Sequence, residues 1–356
     1  MNLIQLKSLF VKAGCIKLYA KSLAENDNSK NQIYFGSNFE ALNLFPNEGI
    51  FPVSNRKKPI FKAGLKLGWL LTNGLVETAE GAQLIFYPQY PEVRLSGFLR
   101  GCEHAPCKLL AGRMKGRTLF LGVTADKRIV GFAAGSDSPV GREFEKMNLQ
   151  QGKGVFIELE LPSVPGEDES RTLLLAKLGS INKSGWIDSK QLSTDGTISP
   201  CTAPQCGGFT LEAEFGIPKN SSIEPDFLGW EIKQHHVTNF KNLESGTITL
   251  MTPEPTGGFY KEEGSEDFIR KFGYKDKLGR ADRMNFGGVH KVGERHVTTE
   301  LKILLAGYDS GKNRITDVNG AIELINDKKE IAASWAFSGL MQHWSRKHSK
   351  AVYVPS

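Results

Sequence analysis

The sequence predicts an α/β chain in two units, an α+β N-terminal half followed by an α/β C-terminal half. Three observations predict it. The chain has 356 residues, 40% hydrophobic and 24% charged, which is ordinary globular composition at about twice the length of an average domain. The hydrophobic period switches between a helical and a strand-like step several times. Two polar stretches broken by proline and glycine, 162–170 and 189–208, interrupt the pattern and place a boundary near residue 200.

Each element follows from its local pattern. Leu3, Leu6, Leu9, Phe10 and Ala13 recur at steps of three and four, so residues 2–24 read as a helix. Turn residues fill 46–59, and a second helical pattern covers 61–71 and ends at Asn73-Gly74. From Gln83 the step shortens to two, giving strands at 84–87, 93–98, 118–123 and 155–161 with Gly or Pro between them. After the boundary come a helix at 209–215, strands at 228–234 and 247–252, a basic loop, strands near 297–307 and 320–325, a helix near 336–348 and a last strand at 350–354. No internal repeat or low-complexity tract is present.

Composition bounds the function. Lys and Arg number 45 against 39 Asp and Glu, a net charge of +6, which is a mild excess compatible with an anionic partner. No stretch is long and apolar enough to span a bilayer, and the N-terminus lacks the basic and continuous apolar regions of a signal peptide, so a cytoplasmic protein is expected. The five cysteines are an odd, low number and read as reduced thiols. Cys102 with Cys107, and Cys201 with Cys206, have a spacing that zinc just allows, with His104 as a further ligand, although the two pairs lie far apart in sequence.

The informative segment is Glu224-Pro-Asp-Phe-Leu-Gly-Trp-Glu-Ile-Lys-Gln234. On a strand Glu231 and Lys233 share one face while Trp230 and Ile232 take the other, where they can be buried. Asp226, in the turn after Pro225, can fold back onto the polar face. Two carboxylates and an amine on one face suit metal-assisted phosphodiester hydrolysis: the carboxylates are hard ligands for Mg²⁺, and the lysine can stabilise the attacked phosphate. A Glu/Lys pair on a strand is also common on ordinary surfaces, so the wider segment must decide.

Pro225-Asp226 followed by Glu231-Ile-Lys233 resembles the signature of the PD-(D/E)XK nuclease superfamily. With Gly207-Gly-Phe-Thr-Leu-Glu-Ala-Glu-Phe-Gly-Ile before it and Thr247-Ile-Thr-Leu-Met-Thr-Pro-Glu-Pro after it, the stretch from about 207 to 356 resembles the MvaI/BcnI family of type II restriction endonucleases, related in fold to the nicking enzyme MutH. The resemblance implies a restriction-endonuclease-like mixed sheet flanked by helices over 201–356. It implies Asp226 and Glu231 as Mg²⁺ ligands, Lys233 on the phosphate, and Glu212 as an assisting helix carboxylate. Without the resemblance Glu212 is an ordinary helix glutamate, and Glu214 reads as solvent-facing. Residues 1–200 match no named module and are a candidate for DNA recognition. Family members usually continue beyond the strand at 350–354 with a basic, histidine-containing recognition segment. This sequence ends at Ser356, so recognition is expected to rest on residues 1–200 or to be weak.

Between Arg270 and Arg295 eight basic residues face three acids, a net of +5 in 26 residues and almost the whole excess charge. Lys277, Arg280, Arg283, Asn285, His290 and Lys291 are the candidate DNA contacts there, since Arg and Asn read guanine and adenine edges and basic groups hold phosphates. The same charges could simply cover a solvated loop. The C-terminal helix adds His343, Arg346, Lys347, His348 and Lys350. A second aromatic and basic stretch, Tyr87 to Phe98 with Arg94, Arg100, Arg113, Lys115 and Arg117 on or after it, reads more simply as an edge strand and its turn. The expected activity is a Mg²⁺-dependent endonuclease acting on double-stranded DNA, as a monomer. The alternatives are a DNA-binding protein that has lost catalysis and a MutH-like nicking enzyme.

Overall fold

The computed structural model describes residues 1–25, 32–37, 39–54, 58–147, 154–162, 167–219, 225–241, 243, 248–347 and 350–356. The N-terminal half runs α1 (Leu3–Lys12), β1 (Cys15–Leu23), β2 (Gln32–Gly36), α2 (Ala41–Leu44), β3 (Ile50–Val53), β4 (Ile60–Gly64), β5 (Leu67–Leu70), β6 (Val76–Ala79), β7 (Gln83–Tyr87) and β8 (Glu92–Ser96). It continues with α3 (Cys107–Ala111), β9 (Arg117–Thr124), β10 (Ile129–Ala134), α4 (Pro139–Lys146) and β11 (Ile157–Glu158).

Helix α1 starts where Asn2 and Gln5 cap each other's backbone, and it buries Leu3, Leu6 and Phe10. It stops at Lys12, short of the expected 24, because Gly14 at φ +85° turns the chain into β1. Pairing of β1 with β9, whose eight residues are all buried, outweighs the helical spacing of the sequence. The helix expected at 61–71 is likewise two strands in different sheets, β4 and β5. Every residue of β5 is buried, so it shows no two-residue alternation by which to recognise it.

Two sheets form this half, β11-β1-β9-β10-β5-β6 and β2-β8-β7-β4-β3. β10 and β5 pair in parallel within an otherwise antiparallel first sheet. β8 lies inside the second sheet, between β2 and β7, and is not the edge strand expected. The main core fills the space between the sheets, with Phe35, Phe45 and Phe156 in mutual edge or tilted contact. A second core lies under α1 and α4.

The rest of the chain runs α5 (Glu167–Lys183), β12 (Lys190–Leu192), β13 (Ile198–Pro200), α6 (Cys206–Glu214), β14 (Glu231–His235), α7 (Phe259–Phe272), β15 (Tyr274–Lys275) and β16 (Met284–Asn285). It ends with β17 (Lys302–Ala306), β18 (Tyr308–Asp309), β19 (Arg314–Ile315), β20 (Ala321–Ile325), β21 (Ile331–Ala336), α8 (Phe337–Lys347) and β22 (Ala351–Pro355). Helix α7 packs on the antiparallel sheet β17-β20-β21 through Phe268, Phe272, Leu301 and Leu324. The parallel pair β14–β22 packs with α5 and α6 through Leu174, Leu211, Ile232, Val352 and Val354. Val318 and Phe337 belong to the main N-terminal core, so the two halves share apolar packing. The whole is a mixed α/β structure.

Many elements went unread in the sequence, among them β2, β10 and α4 in the N-terminal half and α5, α7 and β21 after it. A strand expected at 247–252 does not form over 248–252, and residue 247 lies outside the described residues. The alternation there supplies strand propensity, but its backbone joins no ladder. Pairing resumes only where Thr256 and Gly257 donate to Ser334 O at 2.7 and 3.2 Å.

Candidate active site

The site is built on a two-residue hairpin and the strand that follows it. Phe227 and Trp230 exchange backbone hydrogen bonds of 2.9 and 2.8 Å, and the residues between them, Leu228 and Gly229, both have positive φ, +48° and +83°. That pair of angles marks the tight turn that reverses a twisted strand. Glycine accepts it freely, whereas leucine does not. Leu228 is also 49% exposed. Leu228→Gly removes the steric cost and little burial, so it should stabilise the protein by about 0.5–1 kcal/mol net of glycine's larger entropy loss. A melting curve of the variant checks this; a lower midpoint than wild type would refute it.

The hairpin folds Asp226 onto the start of β14, where its Oδ2 accepts the Ile232 N–H at 2.8 Å. Along β14 the side chains alternate as the sequence requires. Ile232 packs with Leu211 and Leu174, while Lys233 Nζ meets Glu231 Oε1 at 2.7 Å. Glu231 is 2% exposed and the Lys233 side chain 25%, so the acid is enclosed and the amine sits at the rim. Asp226, Glu231 and Lys233 are therefore gathered at one end of one strand.

Neighbouring elements fix that end in place. Trp230 donates its indole N–H to Ser170 Oγ of α5 at 3.2 Å, and Phe227 packs edge-on against Phe215. Glu212 lies on α6 beside Leu211, whose contact with Ile232 ties the helix to β14. Glu214, expected to face solvent, is paired with Lys190 of β12 at 2.5 Å because the β12–β13 hairpin lies along α6. Thr210 Oγ1 accepts from Lys190 N at 3.1 Å and donates to Cys206 O at 2.7 Å. Of these partners, Ser170 and Lys190 had no sequence signal. The spacing of Leu174, Leu178 and Ile181 could have revealed α5.

Cys201 and Cys206 form a disulfide with Cα atoms 5.7 Å apart, against the expectation of reduced thiols throughout, because the turn before α6 brings them together. The cysteine pairs do not converge on a zinc site. Cys102 Sγ faces Glu77 O, and His104 Nδ1 is 2.9 Å from Glu77 Oε2. Burial pushes the Cys15 thiol up to about 12 and that of Cys102 to about 11, so both are poor nucleophiles at neutral pH. Among the described residues no group of three or more His, Cys, Asp or Glu side chains could hold a metal by itself. A cation at Asp226 and Glu231 would thus rely on water and substrate oxygens for its remaining ligands. That fits Mg²⁺, which keeps several waters and takes one or two carboxylates.

His235 and His236 take opposite faces as expected: His235 is buried with Nε2 3.3 Å from Leu243 O, and His236 is exposed. The basic segment is organised around Asp276. Its carboxylate accepts from Asn285 Nδ2 at 2.9 Å and from the backbone N–H of Leu278 and Arg280 at 3.2 and 3.4 Å. The bond from Asn285 is the main cause that holds the Asp276 carboxyl below the ordinary aspartate range. Arg283 Nε lies 3.7 Å from the same carboxylate, and Lys291 Nζ lies 3.5 Å from Glu294.

His290 stacks on Phe286 and bonds Thr299 Oγ1 at 2.6 Å. Burial, then the nearby His296, lowers its pKa, which keeps the ring neutral at neutral pH. Gly288, at φ +126°, lets the backbone pass against the His296 ring where a Cβ would collide. Lys277 and Arg280 are exposed and form no ion pair among the described residues. The side chains of Arg346 and Lys347, and residue His348, lie outside the described residues. Arg117 is buried in the N-terminal half and belongs to no surface.

The model of the MvaI/BcnI restriction endonuclease family matches residues 175–356. Among solved structures, one described as "Restriction endonuclease MvaI-cognate DNA substrate complex" is 18% identical with a TM-score of 0.38, covering 53% of this chain and 68% of that one. No curated protein matches the chain.

Proposed function

The chain belongs to the MvaI/BcnI restriction endonuclease family, and from that premise we propose that it is a Mg²⁺-dependent endonuclease of the PD-(D/E)XK type that hydrolyses phosphodiester bonds of double-stranded DNA. The observation that carries the reading is the meeting of Glu231 and Lys233 at 2.7 Å on one face of β14, with Asp226 folded back onto the same strand at 2.8 Å. Asp226 and Glu231 would hold the metal, with Glu212 assisting from α6. A bound Mg²⁺ would lower the pKa of a water and neutralise charge at phosphorus.

The chain's own groups do the positioning. Asp226 is oriented by the Ile232 N–H, which holds its carboxylate against the strand. Lys233 rests on Glu231 and can turn its ammonium to a phosphate oxygen that enters at the rim. There it opposes the negative charge that grows as water attacks in line and leaves a 5′-phosphate. The hydrogen-bonded hairpin and the Ser170–Trp230 contact limit reorganisation of the site on binding.

The deciding experiment is incubation of supercoiled plasmid with the full chain in Mg²⁺ and in EDTA. Linear product only with Mg²⁺ is expected. Duplex binding without any metal-dependent cutting would leave a DNA-binding protein, and accumulation of nicked circles alone would point to a MutH-like nicking enzyme.

Of the candidate DNA contacts in the basic segment, Lys277 and Arg280 are exposed and form no ion pair among the described residues. Replacing both with Ala should weaken duplex binding about equally across sequences and flatten the plot of log affinity against log salt by about two units of slope. Titrations over a range of NaCl check this; an unchanged slope places the DNA elsewhere.

A further inference from the structure

The strand β22 runs parallel to β14 in a register that pairs Glu231 with Ala351, Lys233 with Tyr353 and His235 with Pro355. Paired residues of neighbouring parallel strands stand on the same face of the sheet. The opposite face confirms the assignment independently, because Val352 and Val354 pack in the apolar cluster of Ile232 and Leu211. Ala351 and Tyr353 therefore share the face of Glu231 and Lys233. Ala351 places only a methyl beside the carboxylate. Tyr353 stands next to Lys233, about one strand spacing of 5 Å away, with 36% of its surface exposed and no hydrogen bond for its hydroxyl among the described residues. A neutral donor beside an ammonium, both at the rim of an enclosed carboxylate, is a pair suited to an extended anion with several oxygens.

We propose that Tyr353 is a substrate-positioning residue of this site, its phenol O–H donating to a non-bridging phosphate oxygen of the strand being cut, next to the phosphate met by Lys233. This rests on the nuclease reading above but adds a contact that reading does not require. The hydroxyl bonds the phosphate in ground and transition states alike, so its removal acts on binding and leaves the chemical step nearly untouched.

The test compares wild type, Tyr353→Phe and Tyr353→Ala as full chains in three measurements: plasmid cleavage kinetics in Mg²⁺, affinity for a duplex oligonucleotide without metal, and the melting midpoint. For Tyr353→Phe we expect KM raised about tenfold, kcat within about twofold, duplex affinity weaker by a similar factor and an unchanged midpoint, as for loss of one hydrogen bond to a charged oxygen. Tyr353→Phe equal to wild type in both KM and duplex affinity overturns the proposal. So does an effect confined to Tyr353→Ala, which would assign the contact to the ring alone. A wild type that binds but never cuts removes the nuclease reading, and the affinity comparison then decides the role of Tyr353 by itself.

Discussion

Glu231→Gln should lower Mg²⁺-dependent cleavage by roughly a thousandfold while leaving the melting midpoint unchanged or slightly raised. The two halves of that result have separate causes. Glutamine has the shape of glutamate but no charge, so it loses most of its affinity for a divalent cation. Stability responds differently because Glu231 is 2% exposed and its ion pair with Lys233 forms at the cost of burying the carboxylate. Removing the charge relieves that cost, and Lys233, a quarter exposed, can turn to water. Lys233→Met should act in the same direction on cleavage, but it leaves the buried carboxylate without its cation and so should lower the midpoint. A structural ion pair would give the reverse for Glu231→Gln, with stability lost and any cleavage scaling only with the folded fraction. Initial rates at saturating DNA, measured beside the thermal melts, separate the two cases.

How much of this site could be read in advance depended on how local each cause is. The facing of Glu231 and Lys233 follows from the two-residue step of a strand and needed no tertiary information. Asp226 was legible because Pro225 marks the turn, and the return of its carboxylate to Ile232 N is again a short-range effect. What supports the site is not local. Ser170 bonds Trp230 across 60 residues, and Lys190 reaches Glu214 only because the β12–β13 hairpin lies along α6. The partnership of Lys233 with Tyr353 is a matter of register between strands far apart in sequence, which no pattern within either strand encodes.

The basic segment shows a second limit. Counting charges marks it as a candidate DNA surface, but the count cannot show that Asp276 engages Asn285 and lies near Arg283, while Lys277 and Arg280 stay exposed without an ion pair among the described residues. The fold failed in the sequence where burial removed the pattern. β5 is buried at every residue, and α7 is kinked at Gly264, whose φ of +87° breaks the helical step.

Arg117→Met should destabilise the N-terminal half by about 2–4 kcal/mol, a fall in melting midpoint on the order of 5–10 °C. Arg117 is 1% exposed, and its guanidinium spans three segments. Nε donates to Met114 O at 2.7 Å, and Nη1 and Nη2 donate to Leu109 O and Ala24 O, each at 2.8 Å. Those carbonyls lie within α3, in the loop before β9 and just after strand β1, so one side chain ties three segments together. Methionine nearly fills the volume and lifts the cost of burying a charge, but it removes the donors that these three carbonyls share. Arg117→Lys should be no milder than Arg117→Met, because a compact ammonium keeps the charge buried and cannot reach three acceptors held in a fork. Thermal melting followed by circular dichroism measures both variants. Cleavage at low temperature should survive in either, since Arg117 touches neither β14 nor β22; a variant that melts normally but no longer binds duplex would instead make Arg117 part of a DNA surface.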